Sequence, residues 1–182
     1  MAQEWTRVDR DVPYRDPRMT VYVDRIENDN GIQSTYTLVD FSDAVFVIAE
    51  APDARIALIK QFRYPLASWQ HEIIAGGLPK GTGVEEQARR EVFEETHLTT
   101  AEVDIIGRFA MQPNRSVNYG YVVLAHLNNT DQADVLMQEP DECIREVGFF
   151  TREQVIDMIE HGEINGAYCL AALSIYLLKN II

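Results

Sequence analysis

Within RREVFEETHL, residues 89–98, Glu91, Glu94 and Glu95 occupy five positions of a segment whose apolar residues recur at helical spacing. Stepping about 100° per residue from Val84 puts Ala88 about 40° and Val92 about 80° round the wheel, which defines an inward stripe. Glu91 and Glu95 fall within about 20° of Val84, so two carboxylates four residues apart point toward the body of the domain. Like charges placed that way repel and lose hydration unless protons or cations intervene. One compensation is a pair of inward arginines, but Arg90 points away from Glu91 and reaches Glu94 or Glu86 better. The other is a divalent cation. Mg²⁺ and Mn²⁺ take carboxylates, backbone carbonyls, waters and phosphate oxygens, which this helix face supplies in part.

The elements that must position these glutamates can be read on either side. Thr82 followed by Glu85 is a capping-box pattern, so the helix is expected to start near Gly83 and to run to 96. Phe93 lies opposite Val84 and is expected to pack under a later helix. Residues 1–18 are polar, with Pro13 and Pro17, and MTVYVDRIENDNGIQSTYTLVDF reads as two strands around an Asn-Asp-Asn-Gly turn. AVFVIAE and ARIALIKQF are short apolar runs suited to strands covered on both faces. FRYPLASWQHEIIAGGLPKG reads as a polar loop, followed after the glutamate helix by strands at 102–110, 119–127 and 144–150 and by helices at 152–161 and 167–179. This order predicts an α/β fold, a mixed sheet sandwiched by helices with an N-terminal β-hairpin arm.

The chain has 182 residues, 46% hydrophobic and 25% charged, which suits one domain with a full core and a short appendage. Its 16 Lys and Arg against 29 Asp and Glu give a formal charge of −13, which repels phosphate backbones and anionic lipid and argues against nucleic acid or membrane partners. An anionic ligand would then need cations between itself and the protein. Cys143 and Cys169 stand 26 positions apart with no CxxC, and read as free thiols of a reducing compartment. MAQEWTRVDRDVPYRDPRM lacks the apolar core of a signal peptide, and no segment approaches the ~18 apolar residues of a membrane span. The expected location is the cytoplasm.

Residues 76–98, GGLPKGTGVEEQARREVFEETHL, resemble the Nudix box, Gly-x5-Glu-x7-Arg-Glu-U-x-Glu-Glu-x-Gly-U with U aliphatic. Gly76, Arg90, Glu91, Val92, Glu94, Glu95 and Leu98 match at the required spacing. Thr82 stands where the first Glu is expected, which bears on the number or tightness of metals, and His97 stands where the Gly is expected. LIKQFRYP at 59–66, HEIIAGG at 71–77 and HGEINGAYCLAAL at 161–173 are similar to stretches of the ADP-ribose pyrophosphatase and nucleoside diphosphate sugar hydrolase branch. The resemblance implies an arm at 1–42 that dimerises and helps to form the pocket, and a hydrolase domain at 43–182.

The resemblance further implies metal binding by the carbonyl of Ala75 and by Glu91, Glu94 and Glu95, with Mg²⁺ as cofactor and Mn²⁺ as a substitute. It counts Arg90 and Glu94 with the catalytic residues and places Arg63 and Glu72 near substrate, although Arg63 could instead bond a loop. A general base is implied on the acidic loop QEPDECIREV, where Glu139, Asp141 and Glu142 are candidates and Glu142 aligns best. Trp5, Tyr14 and Tyr22 of the arm are candidates for stacking on the base, with core or dimer packing as the competing role. The implied reaction cleaves a nucleoside diphosphate sugar, ADP-ribose or a relative, into a nucleoside monophosphate and a sugar phosphate. The alternatives are hydrolysis of another nucleoside pyrophosphate, or a non-catalytic nucleotide-sugar sensor.

Overall fold

The N-terminal region forms three antiparallel strands, β1 (Trp5–Arg15), β2 (Met19–Asn28) and β3 (Gln33–Phe41), in that spatial order. Asn28 builds the β2–β3 reversal: its Oδ1 accepts from the N–H groups of Asn30 and Ile32, and Gly31 takes φ +74°, which costs a glycine least. The hairpin thus lies where its turn residues put it. The strand ahead of it, however, falls in a stretch whose polar composition hides it. β1 is an edge strand with mostly exposed side chains, and Pro13, which cannot donate to a ladder, lies within a register shift between Asp11 and Tyr14.

The structure, a computed structural model, describes residues 4–131, 133 and 143–179 and divides into two compact units. The first comprises the chain up to Asp43 with Ala110–Tyr119; the second comprises Ala44–Phe109 with the chain from Gly120 onward. Residues 110–119 join the first unit through specific bonds. Tyr36 Oη donates to the Asn114 carbonyl at 2.6 Å, Val39 N–H donates to the Arg115 carbonyl at 2.7 Å, and the Asn118 amide donates to the Phe41 carbonyl.

Seven strands make the sheet of the second unit among the described residues: β4 (Asp43–Glu50), β5 (Ile56–Arg63), β6 (Ser68–Glu72), β7 (Ile74–Leu78), β8 (Thr100–Ala110), β9 (Tyr119–Leu127) and β10 (Ile144–Phe150). The order is β10-β5-β4-β9-β8, with β6 added to β5 and β7 to β4. β4 and β9 run parallel while β10 and β6 pair β5 antiparallel, so the sheet is mixed as expected. The segment read as a polar loop at 62–81 instead carries β6 and β7. β6 (SWQHE) is polar-rich and half-buried and β7 (IAGGL) is short and glycine-broken, so neither shows a clear alternation, and the pairing of Arg63 with Ser68 through Ile59 with Glu72 defines β6.

Period-two alternation assigns the two faces of this sheet. Val45, Val47 and Ala49 of β4 join Ala57, Ile59, Val123 and Ala125 in one core, closed by Ala88 and Val92 of helix α1 (Val84–Thr96). On the opposite face Phe46 meets Tyr168, with ring centroids 5.8 Å apart, and Glu50 accepts from Tyr176 Oη at 2.6 Å. Both tyrosines belong to helix α3 (Ala167–Lys179). The sheet therefore lies between helices, an α/β/α arrangement. Helix α2 (Arg152–Glu160) starts with a complete Thr151–Gln154 capping box.

Two local expectations for α1 do not hold. Gly83, not Thr82, is the N-cap, with φ −69° and ψ 144° and no side-chain cap, because Thr82 is held one residue earlier in a turn by its N–H bond to the Pro79 carbonyl. Glycine is tolerated at that position, and Glu85 and Glu86 complement the helix dipole. Phe93 is half exposed, at 49%, rather than covered by a helix of the described residues, and rests against His97, with ring centroids 5.6 Å apart. His97 does end the helix in the left-handed region, φ 56° and ψ 12°, with its N–H on the Phe93 carbonyl at 2.8 Å. The turn survives without glycine.

Candidate active site

Helix periodicity and strand position converge where α1 packs on β7. Ala88 and Val92 are fully buried and Val84 packs against the same core, so the helix is turned as its apolar stripe requires. Glu91 and Glu95 follow it inward and are 7% and 2% exposed. Opposite them runs β7, where a Cβ on Gly76 would fall inside the van der Waals radius of the Glu91 carboxylate. Only glycine leaves that carboxylate its place. Gln87, one turn before Glu91 and equally buried, donates from Nε2 to Glu91 Oε1 at 2.6 Å.

Ala75, adjacent to Gly76, lines a cavity of about 360 Å³ together with Arg63, Leu66, Glu72, Phe46 and Tyr168. Arg63 ends β5 and Glu72 ends β6; the register sets them opposite Ser68 and Ile59, and their long side chains meet in a bidentate pair, Nε to Oε1 at 2.9 Å and Nη2 to Oε2 at 2.5 Å. That bond holds the Arg63 pKa above the ordinary guanidinium value; burial opposes it, and the charges of Glu72 and Glu95 add to it. The field of Glu95 at Arg63 links the ion pair to the glutamate helix. Cys169, on the cavity wall, has its thiol pushed up to about 12 by burial, so it lines the space as a neutral, apolar group.

The structure therefore brings Arg63, Glu72, Ala75, Glu91 and Glu95 into one region of the second unit. Arg90 and Glu94 lie on the outer flank of the same helix, paired at 2.8 Å and both partly exposed. Tyr14 and Tyr22 belong to the first unit. Tyr14 Oη donates to Asp16 at 2.9 Å, and the Tyr22 ring carries the Arg10 guanidinium 4.2 Å from its centroid. Trp5 is 46% exposed there. Glu139, Asp141 and Glu142 lie outside the described residues. The sequence does not single out Gln87 and Tyr168 as site residues, and Cys169, on the cavity wall, reads there only as a free thiol. Gln87 left a signal, since it stands at i−4 from Glu91 beside the inward stripe.

No three Asp, Glu, His or Cys side chains form a ready metal cage among the described residues. The donor set is instead two buried carboxylates against a strand whose glycine admits them, with the Ala75 peptide next in line. That set fits a hard divalent cation that keeps several waters and shares its remaining positions with phosphate oxygens.

Fold and site together define an α/β domain with a buried acid pair beside a cavity. The NUDIX domain model matches residues 40–172, and the chain belongs to that family of pyrophosphohydrolases, which generally use divalent metals. It is 32% identical over 163 residues to an ADP-ribose pyrophosphatase of Bacillus subtilis, covering 87% of this chain and 85% of that one. The ADP-ribose pyrophosphatase of Escherichia coli K12 is 27% identical over 65% of this chain and 59% of its own length. A methanol dehydrogenase activator of Bacillus methanolicus is 36% identical over 50% of this chain and 49% of its own. A crystal structure of an ADP compounds hydrolase superposes with a TM-score of 0.82 at 20% identity, covering 97% of this chain and 94% of that one, which speaks for the fold.

Proposed function

We propose that the protein hydrolyses the pyrophosphate bond of nucleoside diphosphate sugars, ADP-ribose or a close relative, to a nucleoside monophosphate and a sugar phosphate. The observation that carries this is the buried Glu91–Glu95 pair set against Gly76 beside the cavity that Arg63 and Glu72 line. The relative in Bacillus subtilis, similar over nearly the whole chain, supports the substrate class. Glu91, Glu95 and the Ala75 carbonyl hold Mg²⁺, for which Mn²⁺ substitutes, and Glu94 belongs to the same set with Arg90 as its ion-pair partner. When bound, the cation neutralises phosphate charge and acidifies a water. Glu142 removes the proton of the attacking water, with Glu139 and Asp141 as the alternatives on that loop. Arg63, fixed in direction by Glu72, presents its positive charge to the substrate in the cavity.

The first unit supports a homodimer. β1 is an edge strand that leaves Trp5, Val8, Val12 and Tyr14 exposed, and a second copy would cover them. In that assembly the arm contributes Tyr14 and Tyr22 to base recognition. No helix among the described residues is long and apolar enough to cross a membrane. Two free cysteines, one of them exposed, suit the cytoplasm. The deciding experiment is product identification from a panel of nucleotide sugars, nucleoside triphosphates and dinucleoside polyphosphates with Mg²⁺ or Mn²⁺. Sugar phosphate from ADP-ribose bears the reading out; turnover confined to the other compounds, or binding without turnover, rejects it.

A further inference from the structure

Gln87 is 2% exposed, and its amide is only half used: Nε2 donates to Glu91 Oε1 at 2.6 Å, while Oε1 is buried with no hydrogen-bond partner among the described residues. Turning the amide over would not help, because it would set a carbonyl oxygen against the Glu91 carboxylate. A buried acceptor left without a donor is unfavourable, and native proteins retain one where something outside the protein completes it. Its position says what that is. The oxygen and nitrogen of one amide are only about 2.3 Å apart by covalent geometry, so Oε1 lies within about 5 Å of Glu91 Oε1, on the carboxylate read as a holder of the cation. The nearest missing donor is a water of the cation's hydration shell, since Mg²⁺ keeps several of its waters when protein-bound.

We propose that Gln87 is a positioning residue of the cation site, with Nε2 aiming the Glu91 carboxylate and Oε1 accepting from a cation-bound water. The inference rests on the reading of Glu91 and Glu95 as the cation's holders. It gives the site a neutral oxygen from the helix itself, in a chain where Thr82 replaces the expected outer glutamate. Outer positioning groups of this kind typically change metal affinity by about 10- to 100-fold.

The test measures Mn²⁺ binding to the full chain by calorimetry, together with the thermal midpoint with and without Mn²⁺. Gln87→Met keeps the length of the side chain but removes both polar atoms; we expect Mn²⁺ to bind about tenfold more weakly and to raise the thermal midpoint less than in the wild type. Wild-type affinity in that variant overturns the proposal, because a merely structural glutamine would shift the metal-free and metal-loaded midpoints alike. Should Gln87→Met fail to fold, Gln87→Glu decides. It keeps an acceptor but sets a second carboxylate against Glu91, so at neutral pH the metal-free midpoint should fall and Mn²⁺ should restore it, a larger rise than in the wild type. An equal rise overturns the proposal. Glu91→Gln measured alongside separates the two levels: if it binds Mn²⁺ normally the cation reading itself is wrong, whereas its loss together with unaltered Gln87 variants removes only the role of Gln87.

Discussion

Gly76 and Glu91 occupy what would be overlapping space if residue 76 had a side chain: the carboxylate rests where a Cβ would project from β7. Gly76→Ala is therefore expected to push the Glu91 carboxylate out of its bond with Gln87 while leaving the core untouched. A carboxylate at the end of a flexible side chain yields cheaply, so the thermal midpoint should move little. Turnover should drop by about 10²-fold or more, the cost of misplacing a catalytic ligand by an ångström. Steady-state rates beside thermal melts check the split; full activity in a folded variant would contradict the close approach.

Division of labour among the carboxylates gives the second expectation. Glu91→Gln and Glu95→Gln preserve size but remove a negative ligand, so cation affinity and turnover should both collapse while the fold persists, relieved of like-charge repulsion. Glu142→Gln should instead lose roughly 10²- to 10⁴-fold in rate with cation binding little changed. Calorimetric titration with Mg²⁺ alongside single-turnover rates distinguishes the two patterns. If Glu142→Gln turns over normally, the base is to be sought at Glu139, Asp141 or Glu94.

Deleting residues 1–40 tests the arm. The truncated chain should run as a monomer where the full chain runs as a dimer at micromolar concentration, and its Michaelis constant should rise by about tenfold, the signature of lost substrate binding. Light scattering and steady-state kinetics on a folded truncation decide this. An unchanged Michaelis constant would separate the arm from the pocket.

Within the arm, Arg10 binds the buried Asp24 through two bonds, Nε to Oδ1 at 2.6 Å and Nη2 to Oδ2 at 2.7 Å, and holds its carboxyl below the usual carboxylate range. A carboxyl depressed in the folded state stabilises above its unfolded pKa, near 3.9, and that contribution fades as pH falls through the lower folded value. Asp24→Asn should thus be less stable than the wild type by roughly 1 kcal/mol at pH 7, with the gap closing in acid. Urea melts at several pH values would show it, and a gap that stays constant into acid would point to a cause other than charge.

Periodicity alone, read along the sequence, was enough to turn Glu91 and Glu95 inward, because the 3.6-residue repeat of Val84, Ala88 and Val92 leaves an amphipathic helix one way to lie. The hairpin at Asn28–Gly31 and the helix over 167–179 were legible for the same reason, since each is written in contiguous residues. What depends on partners distant in sequence was not legible. β1 and β6 have too little alternation to announce themselves and exist by pairing with β2 and β5. The cap of α1 moved from Thr82 to Gly83 because a neighbouring turn had already taken the Thr82 N–H. Arg63 meets Glu72 through long side chains whose strand positions face Ser68 and Ile59 instead, and Glu91 finds room only because the residue that crosses it on β7 is a glycine. Local spacing determined which groups could do chemistry. Packing of strand on helix decided which of them share a site, because a close approach depends on both surfaces and a single stretch of sequence records one.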